Sequence, residues 1–341
     1  MSPPLCADMA DLYPLLLLPE FIERVWGARD LAPIYDHKRT SGQAPIGEVW
    51  LTGDACRVAN GPLAGRSLAE LSQQFGQRLV GDAAKTPDRF PLLIKFLFPR
   101  EKLSVQVHPD DDGARAAGEP CGKTECWYVV AAEPGAQVGL GLKSGTTREQ
   151  LSSAIQEKRA EGLMNWVNLR AGEMIYIDAG TVHSIGPGSV IVETQQNSDT
   201  TYRLYDYGRG RELHIERGLA AMKEKTHAGK VSRNGFTPEG HDWAVRLINS
   251  PCFEVSKAGL HEGQEQVITR HLPPTSVQVL VALDGCGTVT SKGSEPVTFN
   301  KGQAVVVPAT IERFSVRPQW QLEYMLMRLP QGETLHPETF L

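Results

Sequence analysis

Apolar and polar residues alternate along much of the chain in short runs, the period of strands rather than of helices. From Leu103 to His108 the order places Val105 and Val107 on one face and Ser104, Gln106 and His108 on the other. Lys123 and Glu125 share a face at the start of the apolar run Cys126 to Val130. Met174, Tyr176 and Asp178 alternate against Ile175 and Ile177, the chain turns at Gly180, and His183 follows. Ser189 to Glu193 and Asp199 to Arg203 read as the next strands, the latter ending at Tyr207-Gly208. Phe90 to Phe98 suits a fully buried strand, in which Lys95 needs a partner. Ile46 to Trp50, Arg57 to Gly61 and Ala136 to Leu142 are shorter strand pieces.

Helical spacing is confined to a few places. Ser67-Leu-Ala-Glu70 is a capping box, followed by Leu68, Leu71, Phe75 and Leu79 on one face. Thr147-Arg-Glu-Gln150 is another, opening a helix expected to run to about Gly162. A helix is expected over Ile215 to Lys223, and Asp110 to Asp112 reads as a helix start or a solvated turn.

The polar stretch 224–240 marks a boundary between residues 1–230 and 231–341. Beyond it come short strands with Gly and Pro turns: Val277 to Leu283, Gly287 to Thr290, Ala304 to Val307 and Leu322 to Met327. That is the pattern of a sandwich or barrel. The two parts share a spacing. Gly172, Asp178, Gly180 and His183 line up with Gly302, Pro308, Thr310 and Arg313. Each copy is a glycine turn, an apolar strand and a tight turn expected to aim a side chain inward. The second copy holds Arg where the first holds His.

Composition narrows the class without naming it. The chain has 341 residues, 41% hydrophobic and 22% charged, with a net charge of -5. No long basic run argues for nucleic acid or an acidic membrane surface as partner. No apolar run approaches the roughly 20 residues that cross a bilayer. The patch Leu15 to Leu18 has no preceding Lys or Arg and is too short for a signal-peptide core, so a cytoplasmic protein is expected. The six cysteines, at 6, 56, 121, 126, 252 and 286, form no C-x-x-C pair and suit reduced thiols. Cys121 and Cys126 are read as small buried side chains rather than ligands.

An imidazole, a carboxylate and an amide oxygen facing inward from neighbouring strands make most of a divalent-metal site. The competing reading is a polar turn with a solvated acidic loop. His183 supplies a further ligand. His37, His214 and His227 have no partner spacing and are taken as surface or structural histidines.

These residues carry a resemblance. The glycine-turn-histidine spacing is similar to a motif of the cupin barrels, a jelly-roll-type fold. Within them Leu103 to Asp110, Gly122 to Glu125 and Ala179 to His183, with Glu193, Ser198-Asp199 and Arg203, resemble type I phosphomannose isomerases over about residues 10 to 225. The compact bacterial form fits this length. The resemblance implies a mostly β fold of two cupin-type barrels with a few helices, the first (1–230) metal-binding and catalytic, the second (231–341) degenerate.

It also implies zinc, one ion per chain, on Gln106, His108, Glu125 and His183. Lys123, Glu193 and Arg203 take catalytic positions, and Ser104, Asp199 and Arg209 substrate positions. The family often reads Lys-Pro-Glu where this chain has Lys123-Thr-Glu125, and Ala-Gly where it has Leu204-Tyr205. The implied reaction interconverts mannose 6-phosphate and fructose 6-phosphate through a cis-enediol. It needs a base, an acid and stabilised oxyanion charge. Lys123 and Glu193 both stand as candidates for the base, and an amine with its ordinary pKa near 10.4 would need that value lowered. The alternatives are a cupin oxygenase using the same metal site, against which the cations Lys123, Arg203 and Arg209 argue, and a sugar-phosphate-binding protein without turnover. Nothing in the sequence sets an oligomeric state.

Overall fold

The computed structural model describes residues 11–232, 237–238, 244–269, 273, 275–331 and 336–341. Cys6 and parts of the polar boundary, 233–236 and 239–240, lie outside them. The described residues are mostly β, in three antiparallel sheets of nine, five and eight strands.

The five-stranded and eight-stranded sheets carry the first part of the chain. The five-stranded sheet has His183–Ile185 at its centre, with Val105–Val107 and then Tyr202–Tyr205 on one side and Gln137–Leu142 and then Met164–Asn168 on the other. In the eight-stranded sheet Leu92–Leu97, Ser189–Gln196 and Glu125–Ala132 lie side by side, with Ile46–Trp50 and Glu20–Ala28 outside them. Trp26, Leu97, Trp127, Val138, Leu140 and Ile185, drawn from both sheets, form one apolar cluster between them. Val105 and Val107 take the opposite face of their strand and pack with Leu151, Ile155 and Leu204 under the helices. The alternation from Ser104 to His108 thus separates a polar inner face from an apolar outer one.

The nine-stranded sheet carries the last third. It is tied to the rest at both ends of the chain. Leu15–Leu17 pairs with Ala304–Val307 inside it, while Thr339–Phe340 returns to pair with Gly229–Val231 in the eight-stranded sheet. One core cluster runs through both parts, from Leu15 and Phe96 to Val281 and Met327.

Local signals set most elements. The helix Leu68–Phe75 begins at the Ser67 capping box and buries Leu68, Leu71 and Phe75. Asp110 caps Asp111–Ala116 by accepting from the Gly113 N–H. Lys95, buried in Leu92–Leu97, finds its partner in Glu193 at 2.8 Å.

Other expectations are corrected. The Thr147-capped helix stops at Gln156, and a separate 3-10 turn covers Ala160–Leu163. The third helix ends at Ala221, where the backbone turns extended at Met222. Arg57 to Gly61 is no strand. Val58 instead bonds to the loop at Gly65 and Arg66. Glu20–Ala28 was not expected as a strand because Glu20, Glu23 and Arg24 break its alternation, and a sheet edge tolerates that. In the last third, Gln278–Ser291 is one long strand where two short ones are expected, and Arg313–Arg328 begins nine residues before the expected Leu322. Shifts of register on either side of Gly285 bend the first without ending it. Gly285, at φ +74°, lies so close to Gln321 that a Cβ would meet the Gln321 carbonyl oxygen at 2.0 Å.

The repeat is real as backbone. Gly172 and Gly302 both take positive φ, and each precedes a four-residue strand, Met174–Ile177 or Ala304–Val307. Its inward-aiming turn holds only for the first copy: His183 is buried and Arg313 is exposed.

Candidate active site

Two cross-strand rows face each other between the sheets of the first part. In the five-stranded sheet, Arg203, Gln106 and His183 are register partners on adjacent strands. In the eight-stranded sheet, Lys95, Glu193 and Trp127 are partners in the same way. Glu125 lies two residues before Trp127, on the same face of its strand.

His108, Glu125 and His183 are fully buried, and one ligand atom from each lies within 4.8 Å of the others. His183 Nε2 is 3.2 Å and His108 Nε2 3.6 Å from the Glu125 carboxylate. The imidazole Nδ1 atoms face backbone carbonyls, His108 that of Thr200 at 2.8 Å and His183 that of Thr181 at 2.9 Å. A neutral ring donating there leaves Nε2 as a lone pair toward Glu125, the tautomer a metal ligand needs. Gln106 brings its amide to 3.2 Å from His183 Nε2, and its Oε1 accepts from Ser104 Oγ at 3.0 Å.

Burial controls the charges. It drives His108 well below the usual imidazole range, helped by Lys123 and His183, and lowers His183 to about 4. Both rings are therefore neutral. Burial, with Glu193 nearby, raises Glu125 to about 7 although Lys123 opposes it. Neither Glu125 oxygen accepts a well-directed hydrogen bond, although the Lys123 ammonium lies 3.0 Å from Oε2. Lys123 also lies 3.1 Å from His108 Nε2. Two neutral imidazoles, an orphaned buried carboxylate and an amide that offers oxygen after a half-turn fit a divalent ion.

Above the cluster opens a cavity of about 460 Å³, with Gln106 and Lys123 on its lining. Its walls carry the cations Arg24, Lys95, Arg203 and Arg211 and the anions Glu48, Glu193 and Asp199. For Glu193, burial works against ionisation, but Lys95 and then Lys123 overcome it and hold the carboxyl at about 2. Trp127 Nε1 donates to the same carboxylate at 2.8 Å. Burial likewise opposes the charge on Lys95, which Glu193 and Glu48 more than restore. Arg24 forks onto Glu48, through Nε and Nη2, both at 3.2 Å. Arg211 forks onto Asp206 in the same way. Arg203 gives Nη1 to the Glu212 carbonyl and leaves Nε buried without a partner. Burial and Arg211 both depress its pKa.

The structure therefore gathers Ser104, Gln106, Lys123, Glu193, Asp199 and Arg203 around one cavity, over His108, Glu125 and His183. Arg209 does not line it. Its guanidinium bonds the carbonyls of Lys102 and Asp206. The sequence reading passed over Arg24 and Glu48 and gave Arg211 no role. Glu48 had a signal, a carboxylate inside the apolar run Ile46 to Trp50. Arg24 had none.

Comparison with known proteins gives a consistent answer. The family model for the type I phosphomannose isomerase catalytic domain matches residues 15–132. Mannose-6-phosphate isomerase ManA of Bacillus subtilis is 40% identical over 329 residues, covering 89% of this chain and 95% of that protein. The mannose-6-phosphate isomerase of Streptococcus mutans is 32% identical over 321 residues, covering 91% and 95%. Among solved structures, that of a Bacillus subtilis mannose 6-phosphate isomerase superposes with a TM-score of 0.79 at 28% identity, over 92% of this chain and 99% of that one. With this identity spread over nearly the whole length, and with the site's geometry in place, the chain belongs to the type I phosphomannose isomerases.

Proposed function

We propose that this enzyme interconverts mannose 6-phosphate and fructose 6-phosphate, moving one proton between C2 and C1 through a cis-enediol. The observation that carries this reading is the buried cluster His108, Glu125 and His183 beside a cavity with cations and carboxylates on its walls, joined to it through Gln106 and Lys123. Family membership gives the substrate.

Gln106, His108, Glu125 and His183 would hold the ion, which we take to be zinc. When bound it supplies Lewis-acid polarisation of the sugar oxygens. Lys123, 3.0 Å from the Glu125 carboxylate and on the cavity lining, is assigned the proton at carbon. Glu193, fixed by Lys95 and Trp127, is assigned to orient Lys95 and to accept from sugar hydroxyls. Arg203 and Arg211 form the cationic end suited to the phosphate, since both line the cavity and Arg203 Nε is unpaired. Asp199 and Ser104 line the same space and are assigned to substrate contact. Arg209, directed at backbone carbonyls, is assigned to shaping the loop beneath Arg211.

The division at residue 230 is kept as the functional one, with 1–230 catalytic and 231–341 supporting. No helix of the described residues is long and apolar enough to cross a membrane, and we take the setting to be the cytoplasm.

The test is direct. The metal-loaded protein is incubated with mannose 6-phosphate and fructose 6-phosphate is measured. Absence of turnover with zinc, cobalt, manganese and iron would end this reading. In D2O, Lys123→Met should abolish exchange of the substrate's C2 proton and cut turnover about 10²–10⁴-fold with metal retained. Exchange that survives in Lys123→Met but vanishes in Glu193→Gln would transfer the base role to Glu193.

A further inference from the structure

A second cluster of metal-type donors lies outside the active site. Asp178 follows the strand Met174–Ile177, His227 lies just before Gly229–Val231, and His336 just before Thr339–Phe340. One ligand atom from each of the three lies within 4.8 Å of the others. The His227 and His336 rings are parallel, 7° apart in orientation with centroids at 4.1 Å. Both are exposed, and the His336 ring also meets Tyr176 edge-on with centroids at 6.3 Å. Asp178 is held in place, because its Oδ2 accepts the backbone N–H of His227 at 2.9 Å. Its Oδ1 is buried with no hydrogen-bond partner. A buried carboxylate oxygen without a donor is costly, and a cation is the partner it lacks.

We propose that Asp178, His227 and His336 form a second divalent-metal site that clamps the C-terminal segment onto the eight-stranded sheet. Two imidazoles and one carboxylate select a borderline ion of the zinc class over magnesium or calcium. The clamp has a mechanical reason. The C-terminal strand is short and pairs only with another short strand, Gly229–Val231, with Thr339 Oγ1 adding a bond to the His227 carbonyl at 2.6 Å. A two-residue strand at a sheet edge has little to hold it. An ion joining His336 to Asp178 fixes the segment to the same turn that leads to His183. This site draws on none of the active-site ligands and stands apart from the proposed reaction.

Zn²⁺ binding is measured by equilibrium dialysis with elemental analysis, on the full chain freed of metal. Wild type should take up two ions per chain. His336→Ala and His183→Ala should each take up one, and the double variant none. Circular dichroism confirms the fold of each variant, and His227→Ala serves as the independent replacement, since it removes the imidazole and keeps the backbone N–H bonded to Asp178. Hydrogen exchange at 229–231 and 339–340 should slow at least tenfold with Zn²⁺ in His183→Ala and not change in the double variant. One ion per wild-type chain at saturation overturns the proposal. So do two ions in both His336→Ala and His227→Ala, or tail exchange indifferent to Zn²⁺ in His183→Ala. His336→Ala should keep its isomerase activity. Failure of the isomerase assay alone leaves the two-ion count unaffected, so the two readings fail separately.

Discussion

The same backbone device occurs twice in this chain and does different work each time. Around Gly172 to His183 the strand and turn deliver a buried imidazole into a sheet interior lined with Lys95, Glu125 and Glu193. Around Gly302 to Arg313 a turn of the same spacing delivers an exposed arginine. The interior behind it is filled by Leu280, Phe299, Phe314, Tyr324 and Leu326. The first part leaves a cavity of about 460 Å³ on whose walls Lys95 pairs with Glu193 and Arg24 with Glu48. In the second, Val305 and Val307 of the strand before the turn pack into this same apolar cluster. A strand–turn frame therefore does not make a site. The site arises where several strands each contribute one inward polar residue, and where the resulting charges compensate one another in a place that water does not reach.

That contrast can be broken in order of expected effect. His183→Ala should weaken metal binding at the active site by at least ~100-fold, a first ligand mattering more than the orienting groups behind it, and should abolish turnover. Full occupancy of that site by dialysis would sever the link between buried histidine and metal. Phe299→Ala, in the packed interior, should cost about 3–5 kcal/mol of unfolding free energy while metal content stays at the wild-type level. A denaturant titration reads the first and elemental analysis the second. Loss of metal without loss of stability would reverse the roles given to the two regions.

Glu193→Gln sharpens the comparison through pH. The folded carboxyl sits at about 2, below its ordinary 4.5. Ionised Glu193 therefore adds stability that is complete above about 4.5 and disappears as pH falls toward 2. The stability gap between wild type and Glu193→Gln should be widest near neutral pH, of order 3 kcal/mol because Lys95 loses its partner, and should close on acidification. A gap independent of pH would mean that the Lys95–Glu193 pair does not act as a charge pair. The smallest effect belongs to Arg313→Ala. As an exposed residue it should shift stability by no more than about 0.5 kcal/mol, with activity unchanged, although it holds the position that corresponds to His183.

Much of this was legible in the sequence because it depends on short-range order. The period-two alternation from Ser104 to His108 assigned Gln106 and His108 to one face, and the two Ser/Thr capping boxes placed two helix starts. Lys95 stood out as a charge in an apolar strand. Other residues were not legible, and the reasons are specific. Arg24 reaches the cavity from an edge strand whose charged residues hide its period. Arg211 and Arg209 sit two residues apart in one loop, and only the fold turns the first toward the cavity and the second toward Lys102. His227 has no neighbour in sequence that suggests a ligand, because its partner His336 lies 109 positions away and meets it only through the pairing of Gly229–Val231 with the C-terminal strand.

By itself, then, the sequence determined a mostly β chain and the family to which it belongs, and it singled out His108, Glu125 and His183, which the fold brings together. Side-chain periodicity and motif spacing are local properties that survive without coordinates. The tertiary structure alone decided which charges neutralise which. Lys95 meets Glu193, Arg24 meets Glu48, Arg211 meets Asp206, and the oxygens of Glu125 and Asp178 are left short of donors. For Lys95 and Glu193 the outcome depends on strand order and register across 98 positions of sequence, while Arg211 and Asp206 meet through the course of one loop. Burial then sets their energy, since a charge costs most where water cannot reach it.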